Sequence, residues 1–209
     1  MTEATTICGD PAATGIGPGR LVLVVGPSGA GKDTLIGLVR AVCAGGGDIV
    51  FPRRVVTREA SSSEENEHLR PAEFRQAQVR GEFSVHWEAH GHCYGLRRAI
   101  DDEIRAGRTV VANASRTVVG ELRRAYADVM VVSITAPAEI LAERLAARAR
   151  GSDGRVADRL SRAVEADAAP PDVVIMNVGN AEDHALELLR IISDACSPST
   201  TKPRASPSS

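Results

Sequence analysis

The stretch Gly26-Pro27-Ser28-Gly29-Ala30-Gly31-Lys32-Asp33-Thr34 constrains this chain more than any other. It follows the apolar run Leu21-Val22-Leu23-Val24-Val25 and precedes Leu35-Ile36-Gly37-Leu38-Val39-Arg40, a helical pattern. Strand, glycine loop and helix in that order are what a phosphate-binding loop requires. The glycines let successive backbone N–H groups turn inward, and the helix N-terminus adds its positive end. The spacing G-x-x-x-x-G-K puts Lys32 within reach of the β- and γ-phosphates of a nucleotide. The next residue departs from the usual pattern. Asp33 stands where Ser or Thr commonly binds magnesium, and Thr34 comes one place late. Composition supports a dedicated role for Lys32. Of 25 Lys and Arg residues only Lys32 and Lys202 are lysines, and Lys202 lies near the C-terminal end. An ammonium on a slim stem fits a loop interior where a planar guanidinium does not.

The rest of the chain alternates short apolar runs with helical patterns. Strands are expected at 21–25, 53–56, 83–87, 109–113, 129–134 and 172–176, with a turn or strand edge at 91–95. Helices are expected after the glycine loop, at 71–80, 96–106, 117–126, 137–148, 153–166 and 181–196, and the polar stretch 57–70 reads as a loop. Alternation at this spacing means an α/β fold of the P-loop NTPase kind: a mostly parallel sheet with helices on both faces. Residues 1–19 and 197–209 are small, polar and rich in Gly, Pro or Ser, and are expected to be disordered around one domain at 20–196.

Charge and cysteine usage exclude several classes. A formal net charge of −2 advertises neither nucleic acid nor a membrane surface. No apolar run reaches the roughly 18 residues of a membrane span. No basic and apolar leader opens the chain, and Cys8, Cys43, Cys93 and Cys196 are scattered without a C-x-x-C, so reduced thiols and a cytoplasmic protein are expected.

Five arginines surround a Gly-containing break: Arg144, Arg148, Arg150, Arg155 and Arg159. Two helices joined by a short loop, at about 148–156, have the form of a helical lid. Its guanidiniums would clamp a triphosphate and neutralise charge during transfer, which makes Arg148, Arg150 and Arg159 catalytic candidates beside Lys32. A solvated face paired with Glu139, Glu143, Asp153 and Asp158 is the competing reading. Arg58 follows the strand ending at Val56, and Arg116 follows the strand ending at Asn113, so both are candidates for a second anionic group.

These residues resemble the guanylate-kinase-like branch of P-loop kinases over about 20–195. The likeness is carried by the glycine loop, Val56-Thr57-Arg58, Tyr94-Gly95, Arg144 and Arg148, Arg159-Leu160 and Asp172 to Asn177. Within the branch the chain most resembles the ribose 1,5-bisphosphate phosphokinases, which similarly show Gly-Lys-Asp, Glu-Asn as at Glu65-Asn66, and an Asn-x-Ser-Arg turn as at 113–116. The resemblance implies ATP as co-substrate, with Mg2+, and a small-molecule sugar phosphate as acceptor; monomer and homodimer both stay open. It implies nucleotide binding by Gly26, Pro27, Ser28, Gly29, Ala30, Gly31, Lys32, Asp33, Thr34 and Asn177. It implies acceptor binding by Arg58, Tyr94, Asn113, Ser115 and Arg116. Asp33 and Thr34, at and just after the usual hydroxyl position, are the metal candidates. Asp33 would compensate for a magnesium-side aspartate lost at Asn113. A guanine pocket needs carboxylates. Here Val85 stands at the usual glutamate, and Asn113-Ala114-Ser115 at the usual Asp-x-Asp. A nucleoside-monophosphate kinase, a non-catalytic binding module and a P-loop nucleotidase are the alternatives.

Overall fold

The computed structural model describes residues 15–58, 65–149 and 170–195. Strand β1 (Arg20–Val25) runs through the centre of a five-stranded sheet and enters the glycine loop, which opens helix α1 (Lys32–Val42). The other strands are β2 (Ile49–Val50), β7 (Thr109–Asn113), β8 (Val129–Thr135) and β9 (Val173–Met176), in the order β2-β7-β1-β8-β9, all parallel. This is the expected α/β fold. Alternation along β1 divides the core. Leu21, Leu23 and Val25 face one apolar layer, and Val22 and Val24 face the other. Helices α3 (Ala99–Arg105) and α4 (Val119–Ala125) contribute to the first layer through Ile100, Ile104 and Leu122. The second takes Leu35, Ile36 and Val39 of α1, Leu141 of α5 (Ala138–Ala149) and Leu188 and Ile192 of α6 (Ala181–Ala195).

A second, smaller sheet was not anticipated. It contains β3 (Val55–Val56), β4 (Glu67–His68), β5 (Phe83–Ala89) and β6 (His92–Arg97), in the order β4-β3-β6-β5, with antiparallel pairing on both sides of β6. Helix α2 (Pro71–Val79) buries Phe74 and Ala77 against it. Of residues 91–95, expected as a turn or strand edge, Gly91 lies in the turn and 92–95 in β6. His90 (φ 53°) and Gly91 (φ 74°) form a two-residue hairpin loop with the left-handed backbone such loops need, and the chain continues as β6. Leu96 and Arg97 belong to that strand, so the helix expected from 96 starts at Ala99. Gly95 lies beneath Phe83: a Cβ there would meet the ring at 2.8 Å. Arg97 ties the sheet together through Glu67 and Glu82.

Two further expectations change. The helix expected at 117–126 begins as a 3-10 turn, Arg116–Val118. Residues 15–19 are held against the domain: the Ile16 amide donates to the Ala125 carbonyl at 2.8 Å, and the Ile16 carbonyl accepts from Ala127 at 2.9 Å. The helix expected at 153–166 lies outside the described residues. No helix among the described residues is long and apolar enough to cross a membrane.

Candidate active site

The glycine loop sits at the carboxyl end of β1, and its backbone has little freedom to vary. Gly26 has φ +140°, and a Cβ there would lie 2.0 Å from the Ile134 carbonyl oxygen on β8. Gly31 has φ +88°, and its Cβ would lie 2.4 Å from the side-chain nitrogen of Asn177. Both positions therefore demand glycine. Lys32 begins α1 and folds back across the loop, its Nζ donating to the carbonyls of Gly26 and Pro27 at 2.9 Å each. Asp33 follows in the first turn, where the helix end favours a negative charge. Thr34 beside it is exposed, and Ala30 is buried.

The loop is braced from beneath. Asn177, immediately after β9, is 3% exposed, and its Nδ2 donates to the Ala30 carbonyl at 2.7 Å. Its side-chain oxygen is buried and meets no donor among the described residues. Arg144 reaches from α5 to the carbonyl of Asn177 at 3.1 Å and toward that of Gly29 at 3.5 Å. Arg144 thus laces the glycine loop to the segment after β9. His184 of α6 holds the same segment. Its Nε2 lies 2.9 Å from the Val178 carbonyl, and Nδ1 lies 3.3 Å from Glu187. The bond to the Val178 carbonyl is the main cause that raises the His184 pKa above its ordinary value, and Glu187 adds to it.

Beside the loop lies a cleft of about 180 Å³. One wall is the face of α1 that carries Asp33, Ile36, Gly37 and Arg40. The opposite wall is Pro52, Arg54, Glu65 and Asn66, and the floor is Val111 and Asn113 of β7. Asn113 Nδ2 donates to Asp33 Oδ1 at 2.7 Å, and Arg54 Nη2 stands 4.0 Å from the same oxygen. The Arg54 guanidinium lies over the Tyr94 ring at 5.3 Å, and that ring stacks on Trp87 at 5.7 Å. Arg40 pairs with Glu65 and lies over Phe51 at 5.7 Å. Asn66 is buried, and its carbonyl accepts from Arg53 at 3.0 Å.

The expected acceptor residues divide. Asn113 lines the cleft; Arg58, Tyr94, Ser115 and Arg116 do not. Tyr94 is 7% exposed and reaches the cleft only as the platform under Arg54. Ser115 caps the 3-10 turn, accepting from the Thr117 amide at 3.3 Å and its hydroxyl at 2.9 Å. Val85 is packed in the core at 2% exposure, so it neither offers nor denies a contact in the cleft. Arg40 and Arg54 are the charged residues that the sequence did not single out. Arg54 is the second of the pair Arg53-Arg54 just before β3, and Arg40 lies seven residues beyond Asp33 on α1. The side chains of Arg148, Arg150 and Arg159 lie outside the described residues, with the rest of the expected lid at 150–156.

No protein-family model matches the chain. The ribose 1,5-bisphosphate phosphokinase PhnN of Bradyrhizobium diazoefficiens is 58% identical to it over 192 residues, covering 92% of this chain and 96% of that protein. The protein of the same name from Rhodopseudomonas palustris is 62% identical over 177 residues, covering 85% and 90%. Among solved structures, a guanylate kinase from Anaplasma phagocytophilum superposes with a TM-score of 0.62 at 23% identity, over 88% of this chain and 89% of that one. That likeness speaks for the fold.

Proposed function

This chain belongs to the ribose 1,5-bisphosphate phosphokinases, and on that premise we propose that it transfers the γ-phosphoryl group of ATP to the 1-phosphate of ribose 1,5-bisphosphate. The products are 5-phospho-α-D-ribose 1-diphosphate and ADP, and the setting is phosphonate metabolism in the cytoplasm. One observation carries the reading beyond kinship. The cleft that adjoins the phosphate loop is lined by two guanidiniums, Arg40 and Arg54, as suits an acceptor with two phosphates.

The acceptor group is a phosphate whose second pKa is near 6, so it is anionic at neutral pH and needs no strong general base. The obstacle is repulsion between two highly charged groups. Catalysis is therefore alignment and charge neutralisation. Lys32 and the loop amides hold the β- and γ-phosphates, and Asn177 keeps the loop in shape from below. Arg54 meets the incoming acceptor phosphate beside Asp33. Arg148, Arg150 and Arg159 are proposed to close over the transferring group, and Arg58 and Arg116 to add positive potential at the acceptor side.

Asp33 and Thr34 fit magnesium. One carboxylate, part-exposed and held by Asn113, stands next to one exposed hydroxyl, and both are hard oxygen donors. This ion typically takes few protein ligands and leaves its other positions to phosphate oxygens and water. Bound there, it would offset negative charge on the nucleotide phosphates.

A coupled assay of ADP release tests the reading against ribose 1,5-bisphosphate, ribose 5-phosphate, GMP and AMP. Turnover should be confined to the bisphosphate. Comparable kcat/KM for GMP would restore guanylate kinase as the activity.

A further inference from the structure

Asp33, Ile36, Gly37 and Arg40 share one face of α1, and that face is a wall of the cleft. From Asp33 to Arg40 the helix climbs about 10 Å at about 1.5 Å per residue. Arg54 enters at the Asp33 end. Arg40 stands at the other end, paired with Glu65. The cleft thus carries one guanidinium at each end. Gly37 lies between them, exposed, with open space around its missing Cβ.

We propose that Arg40 receives the non-reacting 5-phosphate of the acceptor, and so sets the preference for a sugar bearing two phosphates; the inference rests on the kinase reading above. The reacting phosphate must lie at the end near Lys32 and Arg54. A pentose with a phosphate at each end then extends along α1 toward Arg40, over a span of about two helical turns. Glu65 holds Arg40 in place until the phosphate arrives. Its carboxylate side chain is 76% exposed, so it is free to swing into water when a stronger anion takes the guanidinium. An acceptor that carries only the reacting phosphate leaves the Arg40–Glu65 pair intact and gains nothing from this end of the cleft.

Two substitutions, Arg40→Gln and Glu65→Gln, separate this role from a structural ion pair. Arg40→Gln should raise KM for ribose 1,5-bisphosphate by about thirtyfold, the usual scale for losing a charge-assisted contact, with KM for ATP unchanged. Glu65→Gln should lower that KM, because it frees Arg40 from a competitor. A pair that only holds the fold would make both variants fail in the same direction, which would overturn the proposal. So would an unchanged KM in Arg40→Gln. Thermal unfolding of both variants checks that they fold, and Arg40→Lys should recover part of the loss.

Calorimetric binding of ribose 5-phosphate and ribose 1-phosphate supplies a readout without turnover. Arg40→Gln should weaken the first and not the second. An equal effect on both ligands, or none on ribose 5-phosphate, overturns the phosphate site. If wild-type protein binds ribose 5-phosphate through Arg40 yet does not phosphorylate the bisphosphate, the site stands and the kinase reading falls.

Discussion

The side-chain amide of Asn113 donates to the carboxylate of Asp33 at 2.7 Å, and so joins the last residue of β7 to the first turn of α1. The bond crosses from one parallel strand to the helix that follows its neighbour. It fixes Asp33 between two places, the phosphate loop behind it and the cleft in front. Arg54, 4.0 Å away, balances its charge from the cleft side. One acidic residue thereby faces both the glycine loop and the cleft.

Asp33→Asn should raise the magnesium concentration needed for half-maximal rate. The amide can keep a hydrogen bond with Asn113, so the change removes charge more than shape. A carboxylate is a good hard-oxygen partner for magnesium, directly or through a bound water. An unchanged magnesium titration would reject Asp33 as a metal-side residue and leave it as a partner of Arg54.

Gly31→Ala should destabilise the protein by at least about 2 kcal/mol, since strain at a positive φ adds to a steric clash. The new methyl would need the space of the Asn177 amide, 2.4 Å away, and that amide is buried and bonded to Ala30. Urea unfolding measures the loss, and ATP should raise Tm of the wild type but not of the variant. A variant of normal stability would mean that the brace beneath the loop yields easily.

The phosphate loop was legible in the sequence because its geometry is local: two glycines, one lysine and a helix start act within a few residues. The parallel sheet was legible for a similar reason, since apolar runs such as Val129 to Ile134 need cover on both faces. The smaller sheet was not. Its strands β3 and β4 have two residues each, too short for alternation to register. Arg144 illustrates a second limit. Its spacing gives the helix face that it shares with Arg148, but whether that face meets a ligand or the backbone of Gly29 and Asn177 is decided by how α5 packs. Arg40 and Arg54 belong to different elements, and only the packing of α1 beside the segment before β3 makes them ends of one cleft.

His184 should make stability depend on pH near neutrality. Its pKa is raised in the folded chain, first by the Val178 carbonyl and then by Glu187. The sign follows from linkage: the folded state binds the proton more tightly than the unfolded state. The stabilisation is fully present below the unfolded value of about 6.5 and is lost as pH rises through the higher folded value. The group is near the surface, so the effect is small. Unfolding curves from pH 6 to 8 should fall more steeply for the wild type than for His184→Gln. Parallel curves would remove His184 from the account.

The last prediction concerns how Tyr94 acts. Its ring is buried, stacked on Trp87 on one side and under Arg54 on the other. If the ring serves as a platform, its hydroxyl is dispensable and its π-face is not. Tyr94→Phe should therefore keep kcat/KM for ribose 1,5-bisphosphate close to wild type. Tyr94→Leu should lower it, because the guanidinium loses the surface that fixes its plane. Arg54→Lys should lower it further, by about tenfold or more, because an ammonium neither stacks on the ring nor meets a phosphate with a two-pronged contact. In Arg54→Lys the platform has nothing left to hold. Adding Tyr94→Leu to that background should then cost less than it does alone, and a double-mutant cycle measures the difference. KM for ATP should stay level throughout. Strict additivity would mean that Tyr94 and Arg54 act separately. A large loss in Tyr94→Phe would mean that the hydroxyl itself touches the acceptor.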